Sequence, residues 1–190
     1  MAKRTRSTFI HLECTSCEKI FPKEQLLNLC TACSLPIFAR YDIEKARSII
    51  QKDQLLYRED TMWRYKEMMP VEYEENIVTL GEGWTPLVTA KRLGELLGFS
   101  NLYLKDESLN PTGSFKARGM SAAISQAKEK GVKKIAIPTA GNAGGATAAY
   151  TAKAGQGAYI FMPDDTPIAF QIECEQYGAI VEKIDGLISD

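Results

Sequence analysis

No stretch of this chain approaches the ~20 consecutive apolar residues that a helix needs to span a bilayer. A membrane-spanning helix is therefore excluded as its organising feature, and a membrane partner is not expected. The chain starts with Met-Ala-Lys-Arg-Thr-Arg-Ser, which is basic, but no apolar stretch of the secretory-signal kind follows. A cytoplasmic location is the expectation. Charge of one sign is also lacking, since the 190 residues carry a formal net charge of −1. Dedicated nucleic-acid binders normally present a basic face, so that class of partner is not expected either. The length suffices for one domain with a real core, or for a small module joined to a medium one.

What is present begins with cysteine. Four of the five cysteines form two pairs, Cys14-Thr-Ser-Cys17 and Cys30-Thr-Ala-Cys33, separated by twelve residues. Each C-x2-C pair makes a tight knuckle that offers two thiolates, and a short hairpin can return the second pair to the first. That is the layout of a structural tetrahedral zinc site in a zinc ribbon. A redox dithiol is the competing reading. A single C-x2-C before a helix would favour it, whereas two matched pairs on a short segment do not, and cytosolic disulfides are uncommon. His11 lies just upstream and could compete as a ligand, but is read as exposed or as a neighbour of the site. Cys174 has no partner and is expected to lie buried in a later helix. Residues 1–40 carry six Lys or Arg against three Asp or Glu. With no cluster of aromatic and basic residues, docking or a structural role is favoured over nucleic-acid contact.

Residues 41–75 read as a helical linker or clamp. Asp42 can cap a helix in which Ile43, Ala46, Ile49 and Ile50 recur at helical spacing. The run at 61–70, Thr-Met-Trp-Arg-Tyr-Lys-Glu-Met-Met-Pro, is dense in large side chains. A short strand is expected at 76–79. Then comes Gly-Glu-Gly-Trp-Thr-Pro-Leu at 81–87, a loop whose glycines let the backbone approach something closely.

Beyond residue 91 helical and strand patterns alternate. A helix is expected at 93–97, a strand at 101–105 and a helix from 120 to 130. A buried strand at 134–138, a small-residue helix at 141–153 and a strand at 158–163 follow. The last elements are a helix at 167–177, stopped by Gly178, and a strand at 179–183. This β-α-β-α-β order implies right-handed crossovers and a mainly parallel, twisted sheet. Ligands bind such sheets at the carboxyl ends of the strands.

Two segments carry the chemistry. In Asn-Pro-Thr-Gly-Ser-Phe-Lys, residues 110–116, a turn delivers Lys116 to the start of a helix, with Ser114 as N-cap and Gly131 as the stop. The positive end of the helix dipole disfavours an ammonium, which helps an amine act as nucleophile and base. Taken alone, Lys116 could equally be one more surface lysine. The second segment, Pro-Thr-Ala-Gly-Asn-Ala-Gly-Gly at 138–145, joins a strand to a helix through small residues. Its amide N–H groups could receive a carboxylate or phosphate. It is neither a Walker loop nor a G-x-G-x-x-G turn. Close packing of the helix on the sheet explains the alanines that follow, but not Asn142.

Residues 105–119, Lys-Asp-Glu-Ser-Leu-Asn-Pro-Thr-Gly-Ser-Phe-Lys-Ala-Arg-Gly, resemble the cofactor-lysine segment of fold-type II pyridoxal-phosphate (PLP) enzymes. The run Thr-Ala-Gly-Asn-Ala-Gly at 139–144 resembles their asparagine loop. The 81–87 loop, Trp63-Arg64-Tyr65 and the cysteine module are most similar to the threonine synthase family. The resemblance implies an α/β fold, with a zinc ribbon at 1–40 and the linker at 41–75. The N-terminal part of a PLP-enzyme domain would follow at 76–190. It implies that Lys116 carries PLP covalently and shuttles protons, that Asn142 bonds the cofactor ring oxygen and that Phe115 lies close to the ring. Thr139, Ala140, Gly141 and Ala143 would receive the substrate carboxylate, and Cys14, Cys17, Cys30 and Cys33 would hold Zn²⁺.

The family reaction converts O-phosphohomoserine and water to threonine and phosphate. The resemblance also implies a further C-terminal half, roughly as long again, that brings the cofactor-phosphate loop, and a homodimer when complete. The 190 residues by themselves are expected to show weak or no activity. Ala117 departs from the aspartate commonly found after the lysine in threonine synthases. A related β-replacement enzyme or an amino-acid ammonia-lyase therefore stays open, as does a noncatalytic zinc-ribbon binding protein.

Overall fold

The computed structural model describes residues 2–188. The chain divides into two compact units, one formed by residues 1–77 with Ser125–Val132 and the other by the remainder. Residues 189 and 190 lie outside the described residues.

The first unit is built on β1 (Phe9–Cys14), which pairs antiparallel with β2 (Ile20–Pro22) on one side and β3 (Ile37–Tyr41) on the other. Leu12 faces Phe21 across one ladder and Ala39 across the other. A small core of Cys14, Phe21 and Cys30, flanked by Leu12, Leu27 and Ile37, fills the space beneath. Helix α1 (Ile43–Ile49) starts where expected, because the Asp42 carboxylate accepts the Lys45 N–H at 2.9 Å and satisfies an orphan donor of the first turn. Of its apolar residues only Ala46 is buried, and Ile43 faces solvent. A short helix, α2 (Lys52–Leu55), precedes a 3-10 stretch, Met62–Met68, that buries Trp63, Arg64 and Glu67. Glu67 could not be buried alone. Arg58 pairs with it in a two-bond fork of 2.7 and 2.8 Å.

The strand expected at 76–79 does not form. A 3-10 turn, Glu74–Asn76, stands at its start, and the side chains of Glu129 and Ser121 hold the chain on either side of it. The Glu129 carboxylate accepts the N–H groups of Glu72 and Tyr73, each at 3.0 Å, and the Asn76 amide at 3.1 Å. Further on, in the second unit, Ser121 Oγ donates to the Val78 carbonyl at 2.7 Å.

The second unit opens with an antiparallel pair, β4 (Leu87–Thr89) and β5 (Tyr103–Lys105), connected through α3 (Lys91–Leu97). The alternating part follows as α4 (Lys116–Glu129), β6 (Lys134–Pro138), α5 (Asn142–Ala154), β7 (Gly157–Pro163), α6 (Ile168–Gln176) and β8 (Ile180–Ile184). Strands β6, β7 and β8 are parallel and lie in chain order, with Ile137 beside Ile160 and Phe161 beside Glu182. Contrary to expectation β6 is not buried. It pairs only with β7 among the described residues, and Lys134, Ala136 and Pro138 are exposed.

Helix α5 is the hub of this unit. One face gives Ala148 to a core with Ile160, Met162 and Cys174, and another gives Ala149 and Tyr150 to a cluster with Val78, Ala117 and Ile124. Its small residues make this two-sided packing feasible. A Cβ on Gly144 would come within 2.9 Å of Thr139 Cγ2 and 3.1 Å of Cys174 Sγ. Cys174 is fully buried, as its lack of a partner suggested, and burial raises its thiol pKa to about 11. No helix of the described residues is long and apolar enough to cross a membrane.

Candidate functional site

The lysine segment folds as a turn fastened at both ends. Asp106 caps the 3-10 turn Glu107–Leu109 by accepting from Ser108 N–H at 3.0 Å. The chain reverses at Gly113, whose φ of +65° suits glycine and whose N–H donates to the Asn110 carbonyl at 2.8 Å. Ser114 Oγ then accepts the Lys116 N–H at 3.3 Å, and α4 begins at Lys116. Lys116 is half-buried, and its amine stands 4.4 Å from the centroid of the Phe115 ring. No carboxylate pairs with it among the described residues. Phe115 is 57% exposed, so much of its side chain is open to a ligand.

Ala117 has no solvent exposure and packs in the cluster that holds Ala149 and Tyr150. A carboxylate at this position would be buried among apolar neighbours, which is a physical reason for alanine here. The same cluster joins the first turns of α4 to α5, and Thr147 Oγ1 of α5 donates to Met120 Sδ at 3.2 Å. In this way the helix begun by Lys116 is packed on the helix begun by Asn142.

At the start of α5, Asn142 is exposed and its side-chain amide has no partner among the described residues. Not all donors expected in this turn are free. Gly141 N–H donates to Thr139 Oγ1 at 3.2 Å, Thr139 N–H to the Phe161 carbonyl at 2.9 Å, and Thr139 itself is buried. The Ala140 and Ala143 N–H groups remain without a partner among the described residues. A groove of about 650 Å³, lined by Ala140, Pro163, Asp164, Asp165, Asp185 and Leu187, lies where the three parallel strands end.

Two buried or partly buried carboxylates escaped the sequence reading. Glu107 accepts from Arg118 Nε at 2.6 Å, Arg118 Nη2 at 2.8 Å, Thr85 Oγ1 at 2.6 Å and Asn110 Nδ2 at 3.0 Å. The Arg118 guanidinium foremost, then Thr85, hold its pKa down to about 2. Glu82 has no solvent exposure and accepts from Tyr150 Oη at 2.5 Å, Thr79 Oγ1 at 3.1 Å and Leu80 N–H at 3.0 Å. The only sequence signal for either was charge inside an otherwise small, turn-forming motif.

In the first unit the four paired cysteines converge. All four Sγ atoms lie within 4.8 Å of one another, with Cys14–Cys33 at 3.4 Å and Cys17–Cys30 at 3.6 Å. A tetrahedral ion with bonds of ~2.3 Å to sulfur has S···S edges of about 3.8 Å, so the set is nearly of that size. Each knuckle also turns backbone N–H groups onto its first sulfur. Cys14 Sγ accepts from Ser16 and Cys17, both at 3.4 Å, and Cys30 Sγ from Ala32 at 3.4 Å. Those bonds from Ser16 and Cys17 lower the Cys14 pKa to about 6. The donor set could hold a metal ion. His11 is not part of it and pairs instead with Glu13 at 3.4 Å.

Comparison with known proteins gives the class. The sequence profile of the family described as pyridoxal-phosphate dependent enzyme matches residues 78–190, more than half of the chain, and the chain belongs to that family. It is 34% identical to the threonine synthase of Methanocaldococcus jannaschii over 178 residues, covering 93% of this chain and 44% of that protein. It is 41% identical to the Synechocystis threonine synthase over 128 residues, covering 66% of this chain and 34% of the relative. The chain thus spans less than half the length of these relatives. Among solved structures, apo diaminopropionate ammonia lyase from Escherichia coli superposes with a TM-score of 0.54 at 25% identity. The match covers 60% of this chain and 36% of the lyase.

Proposed function

We propose that these residues are the lysine-bearing part of a PLP-dependent lyase of threonine-synthase type. The enzyme would convert O-phosphohomoserine and water to threonine and phosphate. The observation that carries this reading is an amine without a carboxylate partner at the start of α4, packed through Ala117 and Thr147 beside the helix that opens with Asn142. The residues fit the cofactor. Phe115 offers an exposed ring and Asn142 an unpartnered amide.

When bound, PLP supplies an electron sink for the carbanion left by proton loss from the amino acid. Lys116 would hold the cofactor and move protons at the carbon atoms beside it, Asn142 would bond the ring oxygen, and Phe115 would flank the ring. Ala140 and Ala143 would orient the substrate carboxylate through their N–H groups, with Thr139 and Gly141 shaping the turn between them.

The cysteine cluster would hold a structural Zn²⁺ in a zinc ribbon, which the sulfur spacing and the N–H···S bonds support. The three-strand parallel sheet would belong to a larger, mainly parallel one. We also propose a cytoplasmic homodimer. Its activity would need a further segment, carrying a pocket for the cofactor phosphate, so that the 190 residues alone turn over weakly or not at all.

Alanine at 117 and the superposition on an ammonia lyase favour one second reading, a related β-replacement or ammonia-lyase activity at the same site. The test is borohydride reduction after incubation with PLP, followed by peptide mapping. Product analysis on O-phosphohomoserine, phosphoserine and threonine accompanies it. Label on Lys116, lost in Lys116→Ala, with threonine formed only from O-phosphohomoserine, is the expected result. Label on another side chain would overturn the assignment.

A further inference from the structure

We propose that Glu107, acting through its fork with Arg118, is a positioning residue for the Lys116 amine, and that the pair is charge-matched so that neither charge reaches the amine unopposed. The proposal rests on the reading of Lys116 as the cofactor lysine.

Geometry supports it first. Arg118 lies two residues beyond Lys116, in the first turn of α4, and meets both oxygens of Glu107 at 2.6 and 2.8 Å. Thr85 Oγ1 reaches the same carboxylate at 2.6 Å, and Asn110 Nδ2 reaches it at 3.0 Å. Asn110 in turn bonds the Glu107 carbonyl at 2.8 Å and accepts the Gly83 N–H at 3.1 Å. One carboxylate therefore ties together the 83–85 loop, the 107–110 turn and the first turn of α4. Lys116 sits between two fastened points, Asn110 and Arg118. A helix end normally frays, and a bidentate fork with fixed partners prevents that.

Electrostatics supports it second. A cation in the first turn of a helix opposes the helix dipole, and Arg118 stands there two positions after a second basic residue, Lys116. Helix stability alone would not favour this choice, whereas a partner on Glu107 removes the conflict. The other ionisable groups around the pair are Lys105, Asp106, Glu82 and Tyr150. Lys105 Nζ is engaged by the Thr85 carbonyl, and Asp106 caps Ser108. Glu82 stabilises the Arg118 charge from the buried side and is itself bonded by Tyr150 of α5, whose phenol burial keeps neutral. Lys153 is at the far end of α5.

The test measures the rate and pH midpoint of borohydride-trapped pyridoxyl labelling at Lys116, with pyridoxal 5′-phosphate as probe. It compares the parent chain with Arg118→Lys, Glu107→Gln, Arg118→Met and the double variant Glu107→Gln/Arg118→Met. Arg118→Lys keeps the charge and loses the fork, and labelling should slow about tenfold with circular dichroism unchanged. The midpoint should fall in Glu107→Gln and rise in Arg118→Met, each by about half a pH unit, and return toward the parent in the double variant. A merely structural pair would move neither midpoint, or both the same way. Unchanged rates, or midpoints that do not diverge, with Lys116 still labelled in the parent, overturn the positioning role alone. Failure to label Lys116 preferentially in the parent overturns the cofactor reading, and this inference with it.

Discussion

Replacing Tyr150 with phenylalanine removes one interior hydrogen bond and little else. Tyr150 and Glu82 both lack solvent exposure, and the phenol donates to the carboxylate at 2.5 Å. Burial first, then the bond to Glu82, pushes the phenol pKa well above its ordinary value, so the group remains a donor throughout the working pH range. The phenylalanine ring would keep its place against Ala117, Ile124 and Ala149, and no cavity forms. What is lost is a hydrogen bond to a carboxylate, which contributes roughly 1.5–3 kcal/mol. Thr79 Oγ1 and Leu80 N–H still bond Glu82 in the variant, which places the loss near about 2 kcal/mol. For a chain of this size each kcal/mol moves Tm by roughly 2–4 °C, so a fall of about 4–8 °C is expected in thermal unfolding followed by circular dichroism. A double-mutant cycle with Glu82→Gln should show a coupling above about 0.5 kcal/mol. A Tm within about one degree of the parent, together with no coupling, would refute the placement of this carboxylate against the phenol.

Two further outcomes follow from other parts of the molecule. The first unit should bind close to one zinc ion per chain, and Cys30→Ser or a strong chelator should abolish binding and open residues 9–41 to protease; metal analysis that finds none in the parent sinks the proposed zinc site. Acid should act through Glu107. Its folded pKa, about 2, lies below the unfolded value of ~4.3, so its stabilisation is present above pH ~4.3 and is lost as pH falls toward 2. Denaturant midpoints at pH 6 and pH 3 should differ less in Glu107→Gln than in the parent, and an equal difference in both would count against the ion pair.

Patterns that depend on neighbours in the chain were legible in one dimension. Asp42 caps α1 and Gly178 follows α6 because capping is settled within a few residues. The same holds for Lys116 at a helix start, which needs only the preceding turn and Ser114. The C-x2-C spacing brought four sulfurs together because knuckle geometry is local and only twelve residues, with the single short strand β2, separate the pairs.

Where partners lie far apart in the chain, the pattern was silent or misleading. The residues at 76–79 have β-compatible side chains, yet partners distant in sequence hold them, Glu129 through the Asn76 side-chain amide and Ser121 through the Val78 carbonyl. The apolar run of β6 looks like a buried strand, but burial depends on which strands and helices cover it, and only β7 pairs with it among the described residues. The free donors of the asparagine turn were reduced when Thr139 folded back onto Gly141. Glu107 with Arg118, and Glu82 with Tyr150, are 11 and 68 positions apart, distances at which local rules carry no information. Composition and spacing therefore decide the local pieces, the lysine turn, the cysteine knuckles and the helix stops. Which carboxylate meets which donor depends on packing α4 and α5 face to face, because a buried charge is tolerated only where its partners converge in space.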